Sequence, residues 1–292
     1  MLKHLAIATL YYLILGSIEL LGLYSNIQPA IKAYDVGQGD ALVLITEKGE
    51  KVLVDGGPSF DLDYKLLSDF PSMDFCPIDV VVLTHPHADH LQGLYRYVLR
   101  CSPNYIVFDN AIYDSKLYFD FKNEVERHVM ENTSVHLTSN QFKSNLLGIE
   151  VLWPPENFDF RRVDNINNVS IVLFYNSKAA TPALLLGDLE KDSQSLMLRE
   201  ILFENEGNEI PFNYNRFSGT SSKQSAVLKL AHHGAENGLN RQLFNIFSPS
   251  ECLISVGEKN SYGHPSSITL KYAENFCEIL QTEILGDITL PL

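Results

Sequence analysis

Apolar positions along the chain follow two regimes. Residues 5–24, LAIATLYYLILGSIELLGLY, are almost continuously apolar, with Glu19 as the only charge, and follow Met1-Leu2-Lys3-His4. About 20 such residues match the thickness of a bilayer core. A basic flank before the run, and the bulk of the chain after it, favour an anchor with its N-terminus inside the cytoplasm and the rest outside. Residues 1–25 are therefore read as a membrane anchor. The alternatives are a secretory signal, although no clean small-x-small cleavage site is present, and a buried first helix.

From Ile31 onward the apolar residues come in short β-rich runs separated by turns and helical spacings. IKAYDV and ALVLIT read as strands around Gly37-Gln38-Gly39-Asp40, and KVLVD as a third, closed by Gly56-Gly57-Pro58. PIDVVVLT is a buried strand, LQGLYRYVLR has helical apolar spacing, YIVF is a strand, and YFDFKNEVERHVM is an amphipathic helix. GIEVLW, VSIVLFY and PALLLGD read as strands, and residues 190–204 as a helix. The polar stretch 205–223 reads as an insertion or mobile loop. AVLKLA (strand), QLFNIF (helix), ECLISV (strand), SSITLKYAENFCEIL (helix) and TEILGD (final strand) complete the chain. This rhythm predicts one α/β domain over 30–292, with sheets packed face to face and helices outside.

Composition narrows the picture. Apolar residues make up 45% and charged residues 20% of 292 positions, which suits an ordered globular domain with a substantial core. The net charge of −14 repels phosphate backbones at long range, so general nucleic-acid affinity is disfavoured unless a metal or local basic patch compensates. No basic stretch with interleaved aromatics is present. Cys76, Cys101, Cys252 and Cys277 form no CxxC pair, which excludes a zinc knuckle. Buried free thiols are expected, with a disulfide permitted but not required.

The main chemical feature is His85-Pro86-His87-Ala88-Asp89-His90, between a buried strand and a helix. Imidazole nitrogens and a carboxylate within six residues form a donor set for zinc or a similar transition metal. Asp188 ends PALLLGD, another hydrophobic strand that delivers a carboxylate to a turn, and its two oxygens can bridge two ions. Of His232 and His233, which follow AVLKLA, His232 is expected to be the ligand and His233 to face substrate. Asp55, at the end of KVLVD, is expected to orient a ligand histidine by accepting its N–H. His264 in SYGHPS could protonate a leaving group or bind an oxyanion, and Asp40 could support the metal loop.

HPHADH, LVDGG, LLLGDLE and AHHG together resemble the metallo-β-lactamase superfamily. Within it, DVGQGDALVL, NNVSIVLFY, LKLAHHG and SVGEKNSYGHPS are similar to the soluble metallo-β-lactamase-like domain of the ComEC competence proteins, from about Ile31 to the end. The resemblance implies a four-layer αβ/βα sandwich with metals at one edge of the sheets. It also implies one or two divalent ions, zinc or manganese. His85 and His87 would hold the first, Asp89, His90 and His232 the second, and Asp188 would bridge them. Most superfamily members add a histidine between the HxHxDH loop and the bridging aspartate. Here the equivalent region reads Asn167-Asn168-Val169-Ser170, while His128 and His136 are poorly placed. An amide oxygen is a weaker ligand, which favours a loosely filled first site or manganese over zinc.

The expected function is metal-assisted hydrolysis of a phosphodiester, with Asp89, His233 and His264 as catalytic groups. The expected partners are single-stranded DNA or another phosphodiester substrate, a membrane and a separate channel subunit. The catalytic domain is expected outside the cytoplasm. Two alternatives stand beside this reading: hydrolysis of another ester, lactone or amide bond, and a degenerate binding module that has lost turnover.

Overall fold

Most strands in this chain are the near-continuous apolar runs that a sheet buried on both faces requires, with successive side chains pointing to opposite sides. In the computed structural model, which describes residues 27–58, 61–72, 75–142, 147–177, 180–203 and 226–292, thirteen strands form two sheets. The expected anchor (1–25) and the expected insertion (205–223) lie outside the described residues. Among the described residues, no helix is long and apolar enough to cross a membrane.

The first sheet contains β1 (Ala30–Ala33), β2 (Leu42–Ile45), β3 (Lys51–Val54), β4 (Val80–Val82), β5 (Tyr105–Val107), β6 (Val135–Leu137) and β13 (Ile288–Pro291). Its order is β13-β1-β2-β3-β4-β5-β6. The second contains β7 (Ile149–Trp153), β8 (Val172–Tyr175), β9 (Ala183–Leu185), β10 (Val227–Lys229), β11 (Glu251–Ile254) and β12 (Glu278–Gln281), in the order β12-β11-β10-β9-β8-β7. Each sheet has an antiparallel part and a parallel part, β3 to β6 in one and β9 to β12 in the other. Loops leaving the carboxyl ends of parallel strands are where open α/β sheets build their sites.

Three apolar clusters define the layers. Between the sheets lie Leu42, Leu44, Val52, Val54, Val80, Val82, Leu173, Leu185, Val227 and Leu253. The opposite parity of the first sheet, Val43, Leu53, Val81 and Ile106, packs with residues of α1 (Leu62–Asp69), α2 (Ala88–Arg100) and α3 (Lys116–Met130). The opposite parity of the second, Leu184, Leu228, Cys252 and Ile254, packs with residues of α5 (Lys191–Phe203), α6 (Arg241–Phe247) and α7 (Ser267–Ala273). A one-turn helix, α4 (Ser139–Phe142), precedes β7. The result is the helix–sheet–sheet–helix order that the sequence predicts.

Two expectations are corrected. The cysteines are not free thiols: Cys76 is bonded to Cys101 and Cys252 to Cys277. The C-terminal assignments also shift. The helix expected through Leu280 stops at Ala273, and Glu278–Gln281 forms β12, paired in parallel with β11 from Glu251↔Glu278 to Ile254↔Gln281. The disulfide from Cys252 to Cys277 clamps this segment onto the sheet, which overrides its helical spacing. TEILGD, expected as the final strand, instead starts with a short helix, α8 (Thr282–Leu285), and the chain closes on β13 against β1.

Candidate metal centre

Asp55 follows β3 and His85 lies just past β4, so neighbouring parallel strands deliver both to one edge. The loop between them is fixed by hydrogen bonds to one buried carboxylate. Thr84 donates its backbone N–H to Asp55 Oδ1 (2.8 Å) and its hydroxyl to Oδ2 (2.7 Å). α2 starts immediately after His87, with Asp89 in its first turn. Gly39 is required where this helix approaches the β1–β2 loop: its φ is 143°, and a Cβ there would lie 2.2 Å from the Asp89 carbonyl oxygen.

The structure brings the two halves of the sequence together at Asp188. One of its oxygens, Oδ2, lies 3.8 Å from His85 Nε2, 3.4 Å from His90 Nε2, 3.9 Å from His232 Nε2 and 3.8 Å from His233 Nε2. In each of these imidazoles, Nδ1 is already engaged with an oxygen. His90 Nδ1 donates to Asp55 Oδ2 (2.8 Å), the arrangement expected of Asp55, and His233 Nδ1 donates to the Ser255 carbonyl (2.9 Å). His232 Nδ1 pairs with Asn237 Oδ1 (3.0 Å), and His85 Nδ1 with Thr84 Oγ1 (3.1 Å). Fixing Nδ1–H on an oxygen leaves the Nε2 lone pair facing inward, as in metal-ligating histidines.

Spacing and satisfaction both fit a cation. Ligands bonded to zinc at 2.0–2.1 Å in a tetrahedron stand about 3.3 Å apart. The sets Asp89–His90–His233 and His85–His90–Asp188 each gather their ligand atoms within 4.8 Å. Among the described residues, His90 Nε2, His233 Nε2, Asp188 Oδ1 and Asn167 Oδ1 are buried without a hydrogen-bond partner. Buried polar atoms rarely stay unpaired, and a shared divalent ion would satisfy those of this set that face it.

The electrostatics agree. Although burial opposes ionisation, the positive histidines hold Asp188 well below the usual carboxylate range and Asp89 at about 2. Burial alone would depress His90 and His233. The charges of Asp188, Asp55 and Asp89 nevertheless raise His90 well above its ordinary value, and Asp188 and Asp40 raise His233 to about 9. Burial, joined by the charge of His90, drives His85 well below it. Burial also lowers His87 and His264.

The expected division of labour between His232 and His233 is not what the geometry favours. His233 is buried, with Nε2 3.4 Å from Asp89 Oδ2, and belongs with Asp89 and His90. His232 stands further out, where Asn167 Nδ2 donates to its Nε2 at 3.5 Å. The cause is local backbone: both residues adopt left-handed conformations (φ 51° and 53°), which turn two consecutive rings toward one carboxylate. His87 stays beside His85, with Nδ1 3.0 Å from His85 Nε2. His264 is at the rim, its ring 5.2 Å from that of His232. His128 and His136 lie apart from the centre, bonded to the carbonyls of Val98 and Phe108.

Several supporting residues were not singled out from the sequence. Lys229, fully buried, bonds Asp40 Oδ2 at 2.7 Å, while Asp40 Oδ1 lies 3.4 Å from His233 Nδ1. The period-2 pattern carries a signal for it, because Lys229 shares the inward face of β10 with Val227. Glu190 Oε1 accepts from Asn165 Nδ2 (2.7 Å), Asn237 Nδ2 (2.6 Å) and Asn167 Nδ2 (3.5 Å). That network holds Asn167, and through Asn237 it orients His232. Ser170 Oγ accepts the Asp188 N–H at 3.2 Å.

Residues 34–162 match the family model of the metallo-beta-lactamase superfamily. ComE operon protein 3 of Bacillus subtilis (strain 168) is 22% identical over 277 residues, covering 87% of this chain. The chain spans 32% of the length of that relative. Among solved structures, the metallo-beta-lactamase fold protein YhfI of Bacillus subtilis aligns over 90% of this chain and 99% of its own, with 12% identity and a TM-score of 0.48. Zn(2+)-bound PqqB of Methylobacterium extorquens aligns over 87% and 88%, with 12% identity and a TM-score of 0.47. The HPHADH loop thus lies inside the region that matches the metallo-beta-lactamase superfamily model, on a chain with the helix–sheet–sheet–helix order described above.

Proposed function

We propose that this chain is a metal-dependent phosphodiesterase whose catalytic domain works outside the cytoplasm. The observation that carries the reading is the convergence of four Nδ1-anchored histidines on a single oxygen of Asp188. We assign Asp89, His90 and His233 to one divalent ion and His85 and His87 to the other, shared through Asp188. His232 and Asn167 border the second group, on the side where most relatives carry a further histidine. Zinc and manganese are the ions this mixed donor set suits.

When bound, such ions make a water more acidic and neutralise charge on the phosphoryl oxygens. In the hydrolysis, the water oxygen bonds to phosphorus, the bond from phosphorus to the leaving oxygen breaks, and the water proton ends on the leaving group. Asp89, partly exposed at the mouth of the centre, is an acceptor available to the attacking water. His264 is held below its usual range by burial and by the charges of His232 and His233, so it is a neutral imidazole at pH 7. Its N–H can donate to the leaving oxygen as charge develops there. Asp40 and Lys229 position His233 from behind.

Two disulfides support a location outside the reducing cytoplasm. We read residues 1–25 as a membrane tether, single-stranded DNA as the expected natural substrate, and a channel-forming subunit as the expected partner. The test is turnover by the purified protein, loaded with zinc or manganese, of bis(p-nitrophenyl) phosphate, single-stranded DNA and RNA. Cleavage of at least one is expected. Cleavage of nitrocefin or lactones alone would replace this reading with hydrolysis of a carbonyl substrate, and metal binding without any turnover would replace it with a binding module.

A further inference from the structure

The rings at the metal centre form one continuous series that extends beyond the histidines. Centroid distances run from Tyr113 to His87 (5.6 Å), His87 to His85 (4.7 Å), His85 to His90 (4.2 Å) and His90 to His233 (5.3 Å). They continue from His233 to His232 (6.3 Å), His232 to His264 (5.2 Å) and His264 to Tyr262 (6.0 Å). Six histidines occupy the middle and a tyrosine stands at each end. The two tyrosines come from unrelated loops, one between β5 and α3 and the other between β11 and α7. Both are exposed, Tyr113 at 37% and Tyr262 at 70%. Tyr262 lies within 18° of parallel to His264, and most of its surface is open to solvent.

We propose that Tyr113 and Tyr262 are stacking platforms for nucleobases on either side of the scissile phosphate, so that the substrate is a base-bearing phosphodiester with unstacked bases. This rests on the phosphodiesterase reading and narrows it. Net charge argues for the mechanism of affinity. A chain at −14 cannot gather a polyphosphate by long-range attraction, whereas base–aromatic stacking acts regardless of charge. A duplex keeps its bases paired and offers the platforms nothing, so single strands and short dinucleotides are the forms selected. Stacking of this kind tolerates any base sequence, because every base has a π-face.

The test compares binding of fluorescein-labelled pentathymidylate with that of an abasic backbone of equal length. Fluorescence anisotropy is read with the metal-loaded full chain, and oligonucleotide length is checked on a denaturing gel afterward. The base-bearing strand should bind about tenfold tighter than the abasic one. Tyr113→Ala and Tyr262→Ala should each lose part of that advantage and the double variant about all of it, while Tyr113→Phe and Tyr262→Phe retain it. Thymidylyl-thymidine as competitor separates the sources: displacement at similar concentration per base indicates a dinucleotide substrate, and much weaker displacement a longer strand. Equal binding of the two oligonucleotides, no binding of either, or alanine variants that match the wild type would overturn the platforms. Bis(p-nitrophenyl) phosphate keeps the two ideas separate. Turnover of it alongside base-independent binding would leave hydrolysis standing and remove the platforms. Tyrosine-dependent binding without any phosphodiester turnover would do the reverse.

Discussion

Asp188 is the residue on which the site turns, because four imidazoles share its Oδ2. Asp188→Ala should abolish turnover and lower metal content, whereas His264→Ala should reduce turnover with metal retained; equal metal loss in both would move His264 into the ligand set. His233→Ala is expected to lose more metal than His232→Ala, read by metal analysis of purified variants, and the opposite order would restore the assignment made from the sequence. The carboxylates that raise His233 to about 9 also set a pH dependence. In the metal-free protein that imidazole carries a proton below about 9, and an incoming cation must displace it. Because His90, also raised, must give up a proton to the same ion, metal affinity should rise by at least about tenfold per pH unit from 6.5 toward 9, measured against a chromophoric chelator. Affinity that stays constant over this range would contradict the protonation state. Lys229 and Asp40 make a fully buried pair at 2.7 Å. Lys229→Met should destabilise the fold by about 3–5 kcal/mol in chemical denaturation, and Asp40→Asn in the same chain should recover part of the loss.

At the level of elements, strands and helices that bury one regular face were readable, and so was the HPHADH loop, because its chemistry is contiguous. What contiguity cannot show is direction. His232 and His233 look equivalent in AHHG, and only their left-handed backbone decides that both rings turn inward, with His233 the deeper. Lys229 reads as an ordinary strand lysine until its parity with Val227 is followed. The cysteines read as thiols in the sequence because each bonded pair is 25 residues apart, and it is the fold that brings the partners together. Cys277 sits beside β12, which explains how a segment with helical spacing is held as an edge strand. Closing a loop of that size contributes about 3 kcal/mol per bridge. Reductant should accordingly lower the thermal midpoint, and an unchanged midpoint would show that the bridges do not stabilise the domain.

Across the whole molecule, the layered fold followed from the order of its elements, and the site followed from the carboxyl ends of parallel strands meeting at one edge. A surplus of acidic residues, 36 against 22 basic, is the property that most limits what the protein can bind. Three buried carboxylates, Asp40, Asp55 and Asp188, together with the partly exposed Asp89, outnumber the cationic Lys229, His90 and His233 around them and leave the centre negative without a cation. Crystals grown with zinc or manganese, with data collected at the absorption edge of the ion, test this most directly. Anomalous density is expected within bonding distance of Asp89, His90 and His233, with a second peak at His85 and His87 and Asp188 reaching both. Ions found only at surface carboxylates, with the Asp188 cluster empty, would contradict it.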